Sequence, residues 1–484
     1  MNFKVITRNV GKALLVNAFF MLLSIIVSIV KGYDEGFVPL LISFLIVSVV
    51  GFFPFIFVKD VPQTKLKEGY VIIVLSWLLS FLFGTLPYIL YGGEFTIINA
   101  WFESVSGYTT TGSTILTDIE ALPDSILFWR SSTHYIGGLG VVVFLLLILP
   151  EASPFKLRLS NLEISSMSRT GYKYKAGTTF KVMLSVYLGM TVAEILLLWA
   201  AGMSFLDAVN HSFSTIATGG FSTRNTSIMY YDSALIDVII LVFMVLSSLH
   251  FGVIFAIFTR RSLKPLGSSI TKYYLSVIAV LSLSIMLVLK IQGGYESWGR
   301  SLLDASFQTV SYISTTGFGQ ADNAAWPFIA NVLLLYAAFH CGCSGSTTGG
   351  VKADRMLIAF KEINNEFLRR LHPSSVFRTR VDGNVVKPDI LSSVFLYIVA
   401  YFFVLMLSFI IVLFFGVDVD MAFSGTLASL GNVGPGIGAL GTMGNYASLP
   451  AIVKFIFSAD MFLGRIEIFP LLIVISLALN RSER

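Results

Sequence analysis

Ser106-Gly-Tyr-Thr-Thr-Thr-Gly112 sets the reading of this chain, because segments of the same kind return at Ser214-Thr-Ile-Ala-Thr-Gly219, Tyr312-Ile-Ser-Thr-Thr-Gly317 and Ser429-Leu-Gly-Asn-Val-Gly434. Each lacks charge, is built of small residues and closes on glycine, with intervals of 107, 98 and 117 residues between the glycines. Glycine is needed where carbonyls must point in directions that a Cβ obstructs. Small hydroxyl-bearing turns can carry several such carbonyls around one axis, so four copies predict a fourfold ring for a cation.

The surroundings of these turns are apolar. Of 484 residues, 55% are hydrophobic and 13% charged, about half the charge of an ordinary soluble domain. Crossing the hydrocarbon takes about 20 mostly apolar residues, and ten stretches qualify: Ala13–Val30, Phe37–Val58, Tyr70–Tyr91, Ile126–Leu149, Val182–Ala201, Ala234–Phe258, Tyr273–Leu289, an interrupted Trp326–Phe360, Ile390–Phe415 and Leu449–Leu479. The first is long for a signal-peptide core and has no convincing cleavage site, so it is expected to stay. With the N-terminus inside, 26 of the 33 Lys and Arg fall on the cytoplasmic side, which places both termini there. Topology and anionic lipid then account for the basic balance, and no nucleic-acid partner is needed.

After two spans, one order of elements repeats four times: span, short half-helix, glycine turn, span. The expected units are an N-terminal hairpin over 1–68 and pore modules over 69–150, 179–260, 272–371 and 386–480. Asn99, Asp207, Asp304 and Asp420, each beside or near an alanine shortly before a turn, read as N-caps of the half-helices. A half-helix that stops inside the membrane must be covered by protein or line a cavity, and its C-terminal end favours a cation. The fold predicted is an all-α polytopic membrane protein, with a two-helix hairpin followed by four pseudo-fourfold helix–pore loop–helix modules around one pore.

The third module is interrupted by Cys341-Gly-Cys-Ser-Gly-Ser-Thr-Thr-Gly-Gly350, a broken helix tolerated beside a water-filled path. Arg465 stands in the last span, where a charge costs at least ~2.5–3.5 kcal/mol unless paired or wet. It either faces the pore or pairs with Glu467 or Asp460. Arg130, Glu194, His250 and His340 are further polar residues in spans with no readable role, and Asp118, Glu120, Asp124, Asp322, Asp418 and Asp420 could gather cations outside.

Two enzyme-like signals occur. Gly436-Ile-Gly-Ala-Leu-Gly441 matches a dinucleotide fingerprint but opens no βαβ unit. Gly342-Cys-Ser-Gly345 resembles an intramembrane serine hydrolase with Ser344 as nucleophile, which would need His250 or His340 as base. That reading leaves the other glycine turns without a purpose, and no enzymatic activity is expected. Cys341 and Cys343 cannot supply a disulfide framework or a four-ligand zinc site.

With the four turns, Ser344-Gly-Ser-Thr-Thr-Gly-Gly-Val-Lys352, Gly434-Pro-Gly436 and Gly464-Arg-Ile-Glu-Ile-Phe469 together, the chain resembles the Trk/Ktr/HKT superfamily of potassium transporters over essentially its whole length, in particular the TrkH branch. The two extra N-terminal spans look like that branch's additional hairpin. The resemblance implies potassium uptake across a bacterial cytoplasmic membrane, with K+ as the transported ion. The implied filter is Thr110, Thr111, Gly112; Ala217, Thr218, Gly219; Thr315, Thr316, Gly317; and Asn432, Val433, Gly434, where glycine at all four final positions accompanies potassium rather than sodium. It further implies a gate of Gly345, Ser346, Thr347, Thr348, Gly349, Gly350 and Lys352 with Arg465 as electrostatic barrier. A homodimer and a separate cytoplasmic nucleotide-binding ring of the TrkA type are implied partners, docking on the basic loops at 150–181 and 351–389, with no nucleotide site in this chain. A gated channel and a sodium- or proton-coupled symporter would use the same filter, and the sequence leaves that choice open.

Overall fold

A computed structural model describes residues 1–58, 64–148, 176–292 and 294–479. Among the described residues the secondary structure is helical apart from one short hairpin. Helices α1 (Phe3–Val30) and α2 (Phe37–Phe57) pair closely, and a Cβ at Gly11 would strike the Gly51 carbonyl, so glycine on both helices lets their backbones approach. Their outward faces are rich in exposed Phe, Ile, Leu and Val, as expected of lipid-facing helices.

A long helix, a short helix, a turn and a second helix then recur four times. The first set is α3 (Leu66–Gly84), α4 (Leu86–Tyr91), α5 (Ile97–Tyr108) and α6 (Asp124–Ile148). The second is α7 (Ala176–Ala200), α8 (Phe205–Ala217), α9 (Ala234–Ser248) and α10 (Phe251–Arg260). The third comprises α11 (Ser269–Gln292), α12 (Trp298–Ile313), α13 (Phe328–His340) and α14 (Ala353–Leu371). Antiparallel β1 (Arg380–Val381) and β2 (Asn384–Val385) precede the fourth set: α15 (Pro388–Phe414), α16 (Val419–Gly431), α17 (Ala451–Arg465) and α18 (Phe469–Leu479).

Six described helices are long and apolar enough to cross a membrane, within α1, α2, α3–α4, α7, α11 and α15. Two of the continuous spans expected from composition are instead broken: α9 and α10 meet at 105°, and α17 and α18 at 102°. Neither break contains Gly or Pro. At the first, His250 caps α10 by accepting from the Gly252 amide at 2.9 Å. At the second, Glu467 and Ile468 both take left-handed φ of 58°, a genuine outlier for a β-branched residue. The interrupted third-module span is α13, the segment 341–352 and the amphipathic α14.

The half-helices α5, α8, α12 and α16 start earlier than the sequence suggested. Thr96, Ser204 and Ser297 are the capping residues, accepting from the amides of Asn99, Asp207 and Arg300, while Asp418 precedes α16 without a side-chain cap. Asn99, Asp207, Asp304 and Asp420 lie inside the helices. An acid within the first turn is favoured by the helix dipole without being the cap, which is why Asp207 and Asp420 resemble caps in the sequence.

Candidate ion pathway

All four half-helices stop by the same device. In the first, the Thr110 amide donates to the Gly107 carbonyl at 3.0 Å and the Thr111 amide reaches back to Ser106 at 2.9 Å. The same pair of bonds joins Thr218 to Thr215 and Gly219 to Ser214, Thr315 to Tyr312 and Thr316 to Ser311, and Asn432 to Ser429 and Val433 to Ala428. This is the Schellman arrangement, which satisfies the last carbonyls by turning one residue left-handed. That residue is Thr110, Thr218, Thr315 or Asn432, with φ of 53°, 57°, 55° and 54°. Threonine there costs of order 1–3 kcal/mol. The strain is repeated at corresponding positions of three turns.

Two residues after each left-handed stop comes a glycine with positive φ: Gly112 at 84°, Gly220 at 82°, Gly317 at 80° and Gly434 at 97°. A Cβ on Gly112 would meet the Gly219 carbonyl oxygen, on Gly220 that of Thr316, on Gly317 that of Val433, and on Gly434 that of Thr111. Each turn thus abuts the next and the fourth returns to the first. The backbones form a closed ring of four.

Ring geometry moves the second turn by one residue from the sequence expectation. Thr218, Gly219 and Gly220 correspond to Thr110, Thr111 and Gly112, whereas Ala217 is the last residue of α8. Gly219 is needed for another reason: a Cβ there would enter the His134 ring.

The turns are braced from behind by unlike groups. Ser106 Oγ donates to the Ser113 carbonyl at 2.6 Å and Ser311 Oγ to that of Phe318 at 2.7 Å. In the second turn Ser214 Oγ instead meets His134 Nδ1 at 3.2 Å. The fourth has Ala428 at this position, and the Gly434 carbonyl is held by Tyr446 Oη at 2.8 Å and Ser113 Oγ at 3.1 Å. Asn432 Nδ2 donates to Thr111 Oγ1 at 3.1 Å and to the Met461 carbonyl at 2.8 Å, joining the fourth turn to the first.

Segment 341–352 lies against the helix ends of this ring. Thr347 Oγ1 donates to the Ile216 carbonyl at 3.1 Å, and the Gly349 amide to Thr315 Oγ1 at 3.2 Å. A Cβ on Gly349 would crowd the Gly431 carbonyl and Asn432 Oδ1. Arg465 completes the crossing: Nη1 donates to the Thr347 carbonyl at 2.6 Å and Nη2 to that of Gly137 at 2.9 Å. Gly137 itself backs onto the Tyr108 carbonyl at the end of α5. The loop tip and Arg465 together touch or adjoin the ends of all four half-helices.

Arg465 makes no ion pair among the described residues, and its Nε is buried without a partner. Asp460 accepts from Ser408 at 2.7 Å, while Glu467 pairs with Arg355 at 2.5 Å and Lys352 at 3.4 Å. Lys352 therefore sits at the base of the loop, tied to the break between α17 and α18, rather than at the tip with Thr347. Ser344 is fixed by Asp354, which accepts from its amide at 2.9 Å and its hydroxyl at 2.8 Å. His340 bonds Tyr273, and His250 Nδ1 accepts from Gly252, so neither imidazole is hydrogen-bonded to the Ser344 hydroxyl as the hydrolase reading requires.

Sequence reasoning passed over Gly220, Glu103, Phe221 and Tyr446, and weighed Glu467 only as a partner of Arg465, whereas it pairs with Lys352 and Arg355. A signal for Gly220 was present: Ser106, Ser214 and Ser311 each precede their ring glycine by six residues. Of the outer acids, Asp118 and Glu120 engage Asn225, Glu120 also pairs with Arg224 at 3.6 Å, and Asp124 pairs with Lys31 at 2.6 Å. Glu194 is fully buried, with neither carboxylate oxygen hydrogen-bonded.

The family TrkH, described as a cation transport protein, matches residues 40–292 and 273–483. The chain belongs to the TrkH family. It is 36% identical to the Trk system potassium uptake protein TrkH of Salmonella typhimurium, with 98% of each chain covered, and 33% identical to that of Vibrio parahaemolyticus over the full length of both. The crystal structure of the potassium transporter TrkH from Vibrio parahaemolyticus superposes with a TM-score of 0.88 at 31% identity, covering 98% of each chain. Membership in this transporter family, together with the apolar helices, establishes a multi-pass membrane protein.

Proposed function

We propose that this chain is the membrane subunit of a potassium uptake system, conducting K+ through the ring of Thr110–Gly112, Thr218–Gly220, Thr315–Gly317 and Asn432–Gly434. The observation that supports the reading is closure of that ring: four helix stops of one hydrogen-bond pattern abut one another in turn and the fourth returns to the first. Four helix C-terminal ends add partial negative charge, and carbonyls can replace a cation's hydration shell. The names of the relatives supply the ion, and glycine at all four ring positions agrees with potassium.

The segment 345–350 and Arg465 form the gate in this reading. The guanidinium repels a cation while its two hydrogen bonds hold the loop across the path. Lys352, paired to Glu467, anchors the loop base. The setting is a bacterial cytoplasmic membrane with both termini inside, the protein assembling as a homodimer with a separate nucleotide-binding ring. Of the two proposed docking segments, 150–175 lies outside the described residues; α14 and the β1–β2 hairpin belong to the other.

The test is flux into liposomes containing the purified protein, under imposed potassium, sodium and proton gradients. Potassium flux driven by its own gradient, together with a lower potassium-to-sodium ratio in Gly112→Ser, supports the proposal. Absence of potassium flux, or an unaltered ratio in that variant, refutes the filter. Dependence on a sodium or proton gradient identifies symport.

A further inference from the structure

We propose that Arg130, acting with Glu103, is a positioning residue for the filter: it braces the outgoing ends of the first and second turns against each other and thereby sets discrimination between potassium and sodium. The proposal rests on the filter reading above and adds to it a residue that lines no part of the ring.

Arg130 on α6 is 1% exposed and Glu103 on α5 is fully buried. The guanidinium Nε donates to Glu103 Oε1 at 2.8 Å, and Nη2 lies 2.7 Å from the same oxygen. Burying such a pair is expensive, and hydrophobic replacement is often neutral or stabilising, so stability alone is a weak reason for it. Its remaining bonds go to the filter. Arg130 Nη1 donates to the Ser222 carbonyl at 3.2 Å and Nη2 to Thr114 Oγ1 at 3.3 Å. Glu103 Oε2 accepts from the Ile115 amide and Thr114 Oγ1, both at 3.1 Å. Thr114 and Ser222 each stand two residues beyond a ring glycine, Gly112 and Gly220. One buried ion pair therefore holds the same point of two adjacent turns.

The second turn is gripped at a further place. Phe221, directly after Gly220, lies 4.0 Å from the Arg130 guanidinium and 4.0 Å from the His134 ring, which is nearly parallel to it at 16°. Arg130 and His134 are four residues apart on α6, hence on one face. The His134 ring also occupies the space a Cβ on Gly219 would need, and Gly219 supplies the carbonyl against which Gly112 packs. Displacement of Arg130 would reach the joint between the first two turns by both routes.

No other quadrant is braced in this way among the described residues. The position nine residues before each ring glycine is Glu103, His211, Gln308 or Gly425. His211 Nε2 meets Ser222 Oγ at 2.9 Å, and Gln308 Nε2 donates to the Ala321 carbonyl at 3.0 Å. Only the first is a carboxylate, and only it has a buried cation beside it. A planar guanidinium can serve Glu103, Ser222, Thr114 and Phe221 at once, whereas an ammonium keeps the charge and loses the fork and the flat face.

The experiment compares the parent, Arg130→Lys and the doubly neutral Arg130→Gln/Glu103→Gln in liposomes, reading the potassium-to-sodium reversal potential beside the melting temperature. Lysine is expected to give a folded protein whose potassium preference falls about tenfold, the equivalent of one charge-assisted hydrogen bond. The neutral pair should show a similar fall with no lone buried charge left behind. A folded Arg130→Lys with the parent's ratio overturns the proposal, as does a folded neutral pair with the parent's ratio. Failure of both variants to fold also overturns it, by making the pair part of the folding core. Gly112→Ser is run alongside: if it too leaves the ratio unchanged, the filter reading fails, whereas an altered ratio there with unaltered Arg130 variants defeats the brace alone.

Discussion

Replacing Arg465 by Gln in the absence of a regulatory partner should raise potassium flux. Two effects add. At an effective dielectric of about 20, a guanidinium about 8 Å from a potassium ion raises its energy by ~2 kcal/mol, and removing that barrier alone is worth about thirtyfold in rate. The second effect is release of the loop. Arg465 donates to the Thr347 and Gly137 carbonyls at 2.6 and 2.9 Å, and hydrogen bonds to a charged group contribute ~1.5–3 kcal/mol each. Water entering beside the freed Thr347 carbonyl offsets part of that loss, so the charge term sets the lower bound.

Lysine at 465 separates the two contributions. It retains the positive charge but, as a single ammonium on a shorter stem, cannot reproduce the paired Nη1 and Nη2 geometry. Arg465→Lys should therefore raise flux by about tenfold, the value of one lost tie at the low end of that range once water offsets part of it, and remain closer to the parent than Arg465→Gln. The assay is potassium flux per folded protein in liposomes, with melting temperature in the same detergent. A folded Arg465→Gln whose specific flux equals the parent's refutes the barrier. Reduced stability with unchanged specific flux assigns the residue to packing, where its ties to Thr347 and Gly137 would only join helices.

Gly220→Ala should depress potassium selectivity through its backbone, since φ of 82° disfavours any Cβ; Gly219→Ala should do so through the His134 ring, and only the latter should recover when combined with His134→Ala, as reversal potentials would reveal. Shortening segment 345–350 by three residues should raise basal flux while the protein keeps the parent's elution volume in size-exclusion chromatography, whereas a folded protein with parental flux would argue against gating. Glu467→Gln releases Lys352 and Arg355 together and should likewise raise basal flux several-fold, breaking a pair worth ~1–2 kcal/mol at this partial exposure. Midway along α14, burial pushes the Glu362 carboxyl upward, but hydrogen bonds from Thr379 and Arg369 outweigh it and leave the group below its usual range. This contribution is present above the unfolded-state value of about 4.3 and disappears as pH falls through the lower folded value, so amide exchange in the β1–β2 hairpin should quicken there in the parent and be largely insensitive to that step in Glu362→Gln.

Local repetition carried most of the fold in the sequence. Runs of apolar residues marked the long helices, and small residues ending in glycine marked the four turns, because each signal lies within a few residues of the structure it specifies. Errors arose where two local patterns compete. Thr218-Gly219 imitates Thr111-Gly112 as a dipeptide, but the backbone uses Thr218 as the left-handed stop that Thr110 provides, so the ring glycine is Gly220. Asp207 and Asp420 imitate caps from inside the first turn for a similar reason. The breaks at His250 and Glu467 hold no glycine or proline themselves, and their local marks, Ser247, Ser248 and His250 at the first and Arg465, Glu467 and the following Pro470 at the second, stand inside stretches whose overall apolarity reads as one span.

What remained unreadable is the set of contacts between modules, and these decide the character of the site. Arg465 was legible as a charge too deep to be idle, yet its acceptors are carbonyls of Thr347 and Gly137, which any residue type could have supplied. Glu467 is two positions from Arg465 and turns to Lys352 and Arg355, leaving the guanidinium without a counter-charge. The absence of an acidic partner is therefore created by the fold: had Glu467 closed on Arg465, the pair would be neutral and its field on a passing cation largely cancelled. Because the left-handed backbone at Glu467 and Ile468 aims that carboxylate at the loop base, one break in the last span both anchors the loop and leaves Arg465 with an uncompensated charge.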